Sequence, residues 1–116
     1  LAYIGVLANP GLQLVRRITL FHDGYLDRAG AMLATHYMNK RKVGDLINLG
    51  NLSVLGSEIG EKHPWAEHDR EHTVYGDWCL AYGRDRGEKH HESTVLSLEH
   101  YKDQAAPHTY LFMNDK

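Results

Sequence analysis

The feature that most constrains the fold is a turn near the start of the chain. Asn9-Pro10-Gly11 separates two stretches rich in apolar residues, LAYIGVLA and LQLVRRITLFH. Proline fixes φ and glycine supplies positive φ, so this tripeptide is typical of a tight chain reversal. The sequence therefore predicts an N-terminal β-hairpin. Both faces of the second strand carry apolar side chains, so we expect both to be largely covered.

Two helices are predicted after the hairpin. Residues 26–38 have apolar side chains at the i, i+3, i+4, i+7 spacing of an amphipathic helix, and Asp27 is positioned to cap it. Gly30 lies inside this helix, where glycine costs about 1 kcal/mol relative to alanine. We therefore expect another backbone to approach it closely. Residues 39–50 form the second helix, which ends at Gly50.

The second half of the chain predicts a strand, a helix and a closing strand. NLSVLG, residues 51–56, indicates an apolar turn, and the polar residues 57–72 indicate a long loop. TVYGDWCLAYG, residues 73–83, has the β-branched and aromatic composition of a strand. Its expected partner is either the segment 108–113 or the N-terminal hairpin. Residues 92–104 are predicted to form a short helix.

The order of these elements, β-β-α-α-β-α-β, sets the expected fold class. Strands and helices that do not alternate regularly favour an α+β domain. We predict a mainly antiparallel sheet, made of the N-terminal hairpin plus later strands, with two or three helices packed on one face. The 116 residues are predicted to form a single globular domain, 1–116. A chain of this length buries roughly two thirds of its unfolded surface, which is sufficient for one core.

Charge and composition narrow the classes of partner. There are 13 Lys and Arg against 15 Asp and Glu, whereas a non-specific nucleic-acid binder carries a basic excess, so nucleic acid is not expected as a direct ligand. No apolar run approaches the roughly 20 residues that span a bilayer, and the start lacks the basic region of a signal peptide. Cys79 is the single cysteine, which agrees with a reducing compartment. We expect a cytoplasmic protein without a bound cofactor.

The stretch YGRDRGE, residues 82–88, is the first candidate site. Its two glycines give the backbone the freedom to form an anion-binding nest. On an extended backbone Arg84 and Arg86 would face one side, with Asp85 opposite, and paired guanidinium groups suit phosphate or carboxylate. The alternative is structural, with one arginine paired internally so that it pins the loop. The acidic partners considered for that role are Asp23, Asp77 and Glu88.

The turn HDGY, residues 22–25, is the second candidate site. It lies where a strand ends and a helix begins, a common position for site residues. His22 and Asp23, together with the charged groups of the first candidate, have the residue types of acid–base chemistry. Asp-Gly is also ordinary turn chemistry, so a purely structural turn is the alternative.

Histidine-rich segments are the candidates for metal binding. Residues 68–72 read H-x-x-E-H, the pattern of an inverted zinc-protease motif. That chemistry needs a stable helix, a third ligand and a substrate cleft, for which this segment offers little support. A solvated, pH-sensitive loop is favoured, and no metal site is predicted. Adventitious metal binding is the alternative, by His63, His68, His72, His90 and His91. Cys79 is predicted to be a packing residue rather than a nucleophile.

Short motifs occur along the chain in a fixed order: HDGY at 22–25, HY at 36–37, LG at 49–50, S-x-L-G at 53–56, IGEKH at 59–63 and YGRDRGE at 82–88. In this combination they resemble a family of small, mostly hypothetical proteins encoded by bacteriophages and prophages. The resemblance spans roughly residues 17–88. It departs from the family pattern H-W-D-G-Y-P, because no tryptophan follows His22 and Leu26 replaces the proline.

The resemblance implies a phage or prophage origin, but no known activity and no catalytic residues. Its two signature clusters are the two candidate sites, and both are predicted to fall at strand ends. We therefore predict that they meet in space and form one polar surface site. The residues predicted to bind a ligand or partner are His22, Asp23, Tyr25, Tyr82, Arg84, Asp85, Arg86 and Glu88.

We expect a binding protein that occupies a host protein or a small anionic, nucleotide-like ligand and thereby inhibits host defence or metabolism. CRISPR inhibitors belong to this class. Exposed aromatic residues would act as anchors, and the candidates are Trp65, Trp78 and Tyr25. The first alternative is a small hydrolytic or nucleotide-directed enzyme that uses His22 and Asp23 with the charged groups of residues 82–88. The second is an oligomeric structural or assembly protein.

Overall fold

The predicted β-hairpin forms the centre of the fold in the computed structural model. Its strands are β1, Ala2–Asn9, and β2, Leu14–Leu20, and they pair antiparallel. The turn is held locally, because the Asn9 side-chain oxygen accepts a hydrogen bond from the Leu12 backbone N–H at 3.1 Å. The hairpin prediction is confirmed. It could be made from the sequence because the turn depends on local residues and needs no distant contact.

Later strands extend the hairpin into a six-stranded mixed sheet. These strands are β3, Leu52–Val54, β4, Leu80–Ala81, β5, Thr94–Ser97, and β6, His108–Phe112. The order is β4-β3-β2-β1-β6, and β5 pairs with β2. β3 runs parallel to β2, and β6 runs parallel to β1. The α+β class is confirmed. The prediction of a mainly antiparallel sheet is wrong, because helical crossovers return the chain to the sheet in the parallel direction.

The crossover from β2 to β3 contains two helices, α1, Ala31–His36, and α2, Lys40–Asn48. A π-type turn, Leu26–Gly30, precedes α1. Asp27 lies inside that turn and Tyr25 occupies the cap position without a side-chain capping bond, so the predicted cap is wrong.

α2 ends close to its predicted boundary, and its flanking glycine has a structural reason. Gly50 has a φ of +78°, and a Cβ there would lie 2.1 Å from the carbonyl oxygen of His91. Gly30 differs from the prediction, because a Cβ at that position would meet side chains, those of Leu26 and Tyr110, rather than a backbone. Another backbone segment therefore comes close to Gly50, and not to Gly30 as predicted.

In its described residues, 74–83, the aromatic segment predicted to be a strand is mostly not one. A 3₁₀ turn, Val74–Asp77, is followed by the short β4 and then directly by α3, Tyr82–Arg86. β4 pairs with β3, the segment that the sequence indicated to be an apolar turn. The prediction of one long strand fails because β4 is defined by its pairing with β3. β3 has only three residues, and a strand that short has no clear sequence signal.

Residues 92–104 divide into two elements where one helix was predicted. The first is β5, which pairs antiparallel with the first half of β2. The second is α4, Leu98–Lys102, and Ser97 caps it by accepting a hydrogen bond from the His100 N–H at 3.1 Å. Tyr101 of α4 is buried, whereas Val95 of β5 is exposed.

Both faces of the sheet are covered by helices. On one face Ile18 and Leu20 of β2 pack with apolar residues of α2 such as Leu46. On the other face Val15 packs with Tyr101 of α4. The prediction that all helices lie on one face is wrong, because β2 alternates apolar side chains between two separate cores.

The structure describes residues 1–68, 74–104 and 106–113. No helix within these ranges has the length and apolar character needed to cross a membrane. As far as residue 68, the predicted loop 57–72 is irregular, with a single 3₁₀ turn at Trp65–Glu67.

Candidate functional site

Asp85 is the buried centre of the first candidate site. Its side chain has no solvent exposure. Its carboxylate accepts hydrogen bonds from the backbone N–H of Ala81 at 2.8 Å and from that of His63 at 3.2 Å. The carboxylate therefore joins β4 to the irregular segment before Trp65.

Arg84 completes this internal contact. Its Nε lies 2.9 Å from Asp85, and its two Nη groups donate to the backbone carbonyls of Ile59 and Cys79, each at 2.8 Å. A guanidinium group with this many fixed acceptors holds three segments of chain together. The structural interpretation is therefore supported for Arg84, although its partner is its neighbour Asp85 rather than Asp23, Asp77 or Glu88.

Arg86 has different surroundings. Half of its side chain is exposed, and its Nε pairs with Glu88 at 2.5 Å. The guanidinium carbon lies 4.7 Å from the ring centroid of Trp65 and 5.9 Å from that of Tyr82. The expectation that Arg84 and Arg86 face the same side is wrong, because the segment is helical and two residues rotate a helix by about 200°.

Tyr82 is the centre of a group of aromatic rings around Arg86. Its ring centroid lies 5.3 Å from that of Phe21, whose ring is nearly perpendicular to it, 5.2 Å from that of Trp65 and 4.8 Å from that of His91, which stacks on it. Glu88 also contacts His91, at 3.1 Å. We call this surface the aromatic–arginine face. Its members are Phe21, Trp65, Tyr82, Arg86, Glu88 and His91.

The HDGY turn borders a separate cavity of about 240 Å³. His22 Nδ1 lies 3.0 Å from the carbonyl oxygen of Ser53 and 3.1 Å from its hydroxyl oxygen, which holds the imidazole ring against β3. Asp23 has a φ of +56° and accepts a hydrogen bond from the Tyr25 hydroxyl at 3.0 Å. We call this cavity the polar pocket. Its polar side chains belong to His22, Asp23, Arg28, Ser57 and Asp77.

The two candidate sites adjoin without forming a single recess. They touch where Phe21, just before the turn, meets Tyr82. His22 itself lies beside β3, where it contacts Ser53. The next residue of β3, Val54, pairs with Leu80 of β4 and not with α3. Among the described residues, those lining the polar pocket include none from 82–88. The predicted recess is thus replaced by two neighbouring sites with different chemistry.

The histidine pattern at residues 68–72 lies outside the described residues except for His68. His68 is buried, and its Nδ1 lies 2.8 Å from Nε2 of His63. His63 in turn stacks on Tyr75 at 4.9 Å. In the ranges that the structure describes, no group of three or more His, Cys, Asp or Glu side chains is arranged to hold a metal ion.

Cys79 is a packing residue, as predicted. It is fully buried, and its sulfur lies 3.4 Å from the Tyr37 hydroxyl and 3.4 Å from the Gly56 N–H. Burial raises the pKa of the thiol, which keeps the unreactive protonated form. Burial likewise raises the pKa of Tyr37, whose hydroxyl donates to the Gly56 carbonyl at 2.6 Å.

Sequence reasoning missed the residues that complete each site. Phe21 and His91 belong to the aromatic–arginine face, and Arg28 and Asp77 line the polar pocket. Glu88 and His91 are three residues apart and both polar, a spacing that could have paired them. No sequence signal could have placed Asp77 beside a turn more than fifty residues earlier in the chain.

The fold and its two sites define an α+β protein with a solvent-facing cluster of aromatic and arginine side chains beside a small polar cavity. Comparison with known proteins found no matching family model, no similar curated protein and no similar solved structure.

Proposed function

We propose that this protein is a binding module whose aromatic–arginine face recognises an anionic group on a partner protein. The observation that supports this most directly is the stacking of Arg86 on Trp65 at 4.7 Å while half of the arginine side chain stays exposed. Trp, Tyr and Arg are the residue types enriched among the energetically dominant positions of protein interfaces.

The face is organised before any partner arrives. Arg86 is held by Trp65 and Glu88, and Tyr82 is held by three neighbouring rings. The inward Arg84–Asp85 pair anchors the same short helix to the core. Ordering a flexible side chain on binding costs about 0.5–1.5 kcal/mol, so side chains ordered in advance favour binding by this surface.

The chemistry of Arg86 favours a carboxylate or phosphate. Glu88 occupies its Nε, and within the described part of the chain its terminal Nη groups have no hydrogen-bond acceptor. A guanidinium group with both Nη groups available can make two parallel bonds to one anionic group. An acidic side chain of a partner protein meets that requirement, and so does the phosphate of a nucleotide-like ligand.

The resemblance to phage and prophage proteins indicates where the proposed partner would be found. The partner would be a host protein in the cytoplasm of an infected or lysogenic bacterium, and occupation of its surface would inhibit host defence, as CRISPR inhibitors do, or host metabolism. The enzyme alternative receives less support, because Arg84 and Asp85 are both occupied by internal contacts.

The test compares two arginine variants. The tagged protein, Arg86→Ala and the control Arg41→Ala, which removes an exposed arginine on α2, are used to capture partners from host lysate, with mass spectrometry of retained proteins and small molecules. We expect one stoichiometric host protein with the unmodified chain and the control, and at least tenfold less with Arg86→Ala. Equal retention of the host protein by all three chains contradicts the proposal. If a nucleotide is retained without any protein, the face binds a small anionic ligand and not a partner protein.

A further inference from the structure

Strand β6 forms one edge of the sheet, and its outer side is open. Among the described strands only β1 pairs with it, over five consecutive residues and without a shift in register. Of the other hydrogen bonds in the described ranges, its backbone takes part in one, in which the carbonyl of Tyr110 accepts from the Tyr101 hydroxyl. Apart from that carbonyl, the backbone N–H and C=O groups that point away from β1 lack a partner in that part of the chain.

The sequence of β6, HTYLF, favours pairing with a further strand. It contains β-branched and aromatic residues, which are typical of strands, and no Asp, Glu, Lys, Arg or Pro. Charged residues and proline are what natural edge strands use to prevent association with another strand. β4, at the opposite edge, has only two residues, and a very short edge strand is itself a protection. The edge that can accept another strand is therefore β6.

An apolar groove lies beside the same edge. Its volume is about 330 Å³, and its lining includes Leu33, Tyr37, Met38, Tyr110 and Phe112. Tyr110 and Phe112 are only partly buried against the core. Met38 is exposed, and so is Met113, which directly follows Phe112. Exposed apolar side chains that gather in one place mark an interaction surface, so pairing at this edge would bury apolar area as well as form backbone hydrogen bonds.

β6 is complementary to a second copy of itself. Two identical strands can pair antiparallel about a two-fold axis, which opposes each position to its counterpart in reverse order. With the axis at Tyr110, His108 opposes Phe112 of the second copy, and Thr109 opposes Leu111. No two residues of like charge are opposed. The His108 and Tyr110 rings are already nearly parallel, at 9°, and opposed side chains share one face. The rings of residues 108, 110 and 112 from both copies would therefore form one continuous row.

We propose that this protein forms a homodimer in which the β6 strands of two copies pair antiparallel, centred on Tyr110. The two sheets then join into one. β4, which leads directly into α3, lies at the opposite edge of the sheet, so the aromatic–arginine face of each copy stays open. The dimer is independent of the partner-binding function proposed for that face, and either can fail without the other.

The test is sedimentation velocity of the full chain from micromolar to millimolar concentration. We expect the mass to rise with concentration from 13.2 kDa to twice that value. Thr109→Lys places a charge at an exposed position of β6, opposite an apolar side chain, and should weaken dimerisation about tenfold or more. The matched control is Thr94→Lys, at an exposed position of β5, which should leave dimerisation unchanged.

A second measurement identifies the strand and its register without any variant, and it decides the matter if Thr109→Lys perturbs the fold. In a mixture of isotope-labelled and unlabelled chains, the methyl groups of Thr109 and Leu111 should show an intermolecular nuclear Overhauser effect. A chain that stays monomeric at every concentration overturns the proposal and leaves the β6 edge to a strand of another protein. A dimer whose intermolecular contacts come from another segment, or one that both lysine variants weaken equally, also overturns it.

Discussion

Arg84 and Arg86 lie two residues apart in α3 and have opposite roles. Arg84 donates to a buried carboxylate and to two backbone carbonyls, and only 17% of its side chain is exposed. Arg86 is half exposed, and its contacts are an aromatic ring and a partly exposed glutamate. Alternating charges therefore do not identify a binding surface until the local backbone conformation is known. In a strand the two would share a side, whereas a helix separates them.

The largest effect is expected from Asp85→Ala, which removes the acceptor on the inward side. The change leaves Arg84 without its anion and two backbone N–H groups without a partner. Breaking a buried ion pair in this way costs about 3–5 kcal/mol. Urea unfolding followed by circular dichroism measures the loss, and a loss below about 1 kcal/mol would mean that the inward contact contributes no more than an ordinary surface pair.

The same substitution at both arginines tests whether their contributions to stability differ. Arg84→Lys keeps the charge but cannot reach three separate acceptors with a fixed fork, so we expect a loss of about 2 kcal/mol. Arg86→Lys alters a surface pair and should cost less than about 1 kcal/mol. Urea unfolding of the two variants should rank them in this order, and equal losses would contradict the division of α3 into inward and outward sides.

The two glycines that flank the arginines should differ on a smaller scale. Gly87 ends α3 with a φ of +70°, and alanine there should cost about 1–2 kcal/mol because its Cβ is strained in that conformation. Gly83 lies inside the helix, where a Cβ would be no closer than 3.9 Å to the Glu88 carbonyl oxygen, its nearest neighbour among the described residues. Gly83→Ala should therefore be neutral or stabilising by up to about 1 kcal/mol. Thermal unfolding checks both, and a destabilising Gly83→Ala would show that this glycine is needed for another reason.

The parts of the fold that could be predicted are those with local causes. The hairpin follows from Asn9-Pro10-Gly11, and α2 follows from its apolar spacing and from Gly50, which comes just after it. β3 and β4 could not be predicted, because strands of three and two residues are defined by their partners rather than by their composition.

The candidate sites divide in the same way. The residue types at HDGY and YGRDRGE were identified from turn position and charge, and both segments lie close to each other through Phe21 and Tyr82. Their charged groups point to three different surroundings: the interior, the aromatic–arginine face and the polar pocket. That division depends on a hydrogen bond to Ile59, on the ring of Trp65 and on Asp77 in the pocket lining, all of which come from distant parts of the chain.

By itself the sequence determined the hairpin, the amphipathic helix α2, the α+β class and the residue types available for binding, because each depends on neighbours within a few positions. Only the tertiary structure decided that the aromatic segment breaks into β4 and α3, that the sheet is mixed, and that Arg84 turns inward while Arg86 faces solvent. The physical reason is that helix and strand preferences are only about 1 kcal/mol per residue. Tertiary contacts, such as the hydrogen bonds that the buried Asp85 carboxylate accepts, outweigh them.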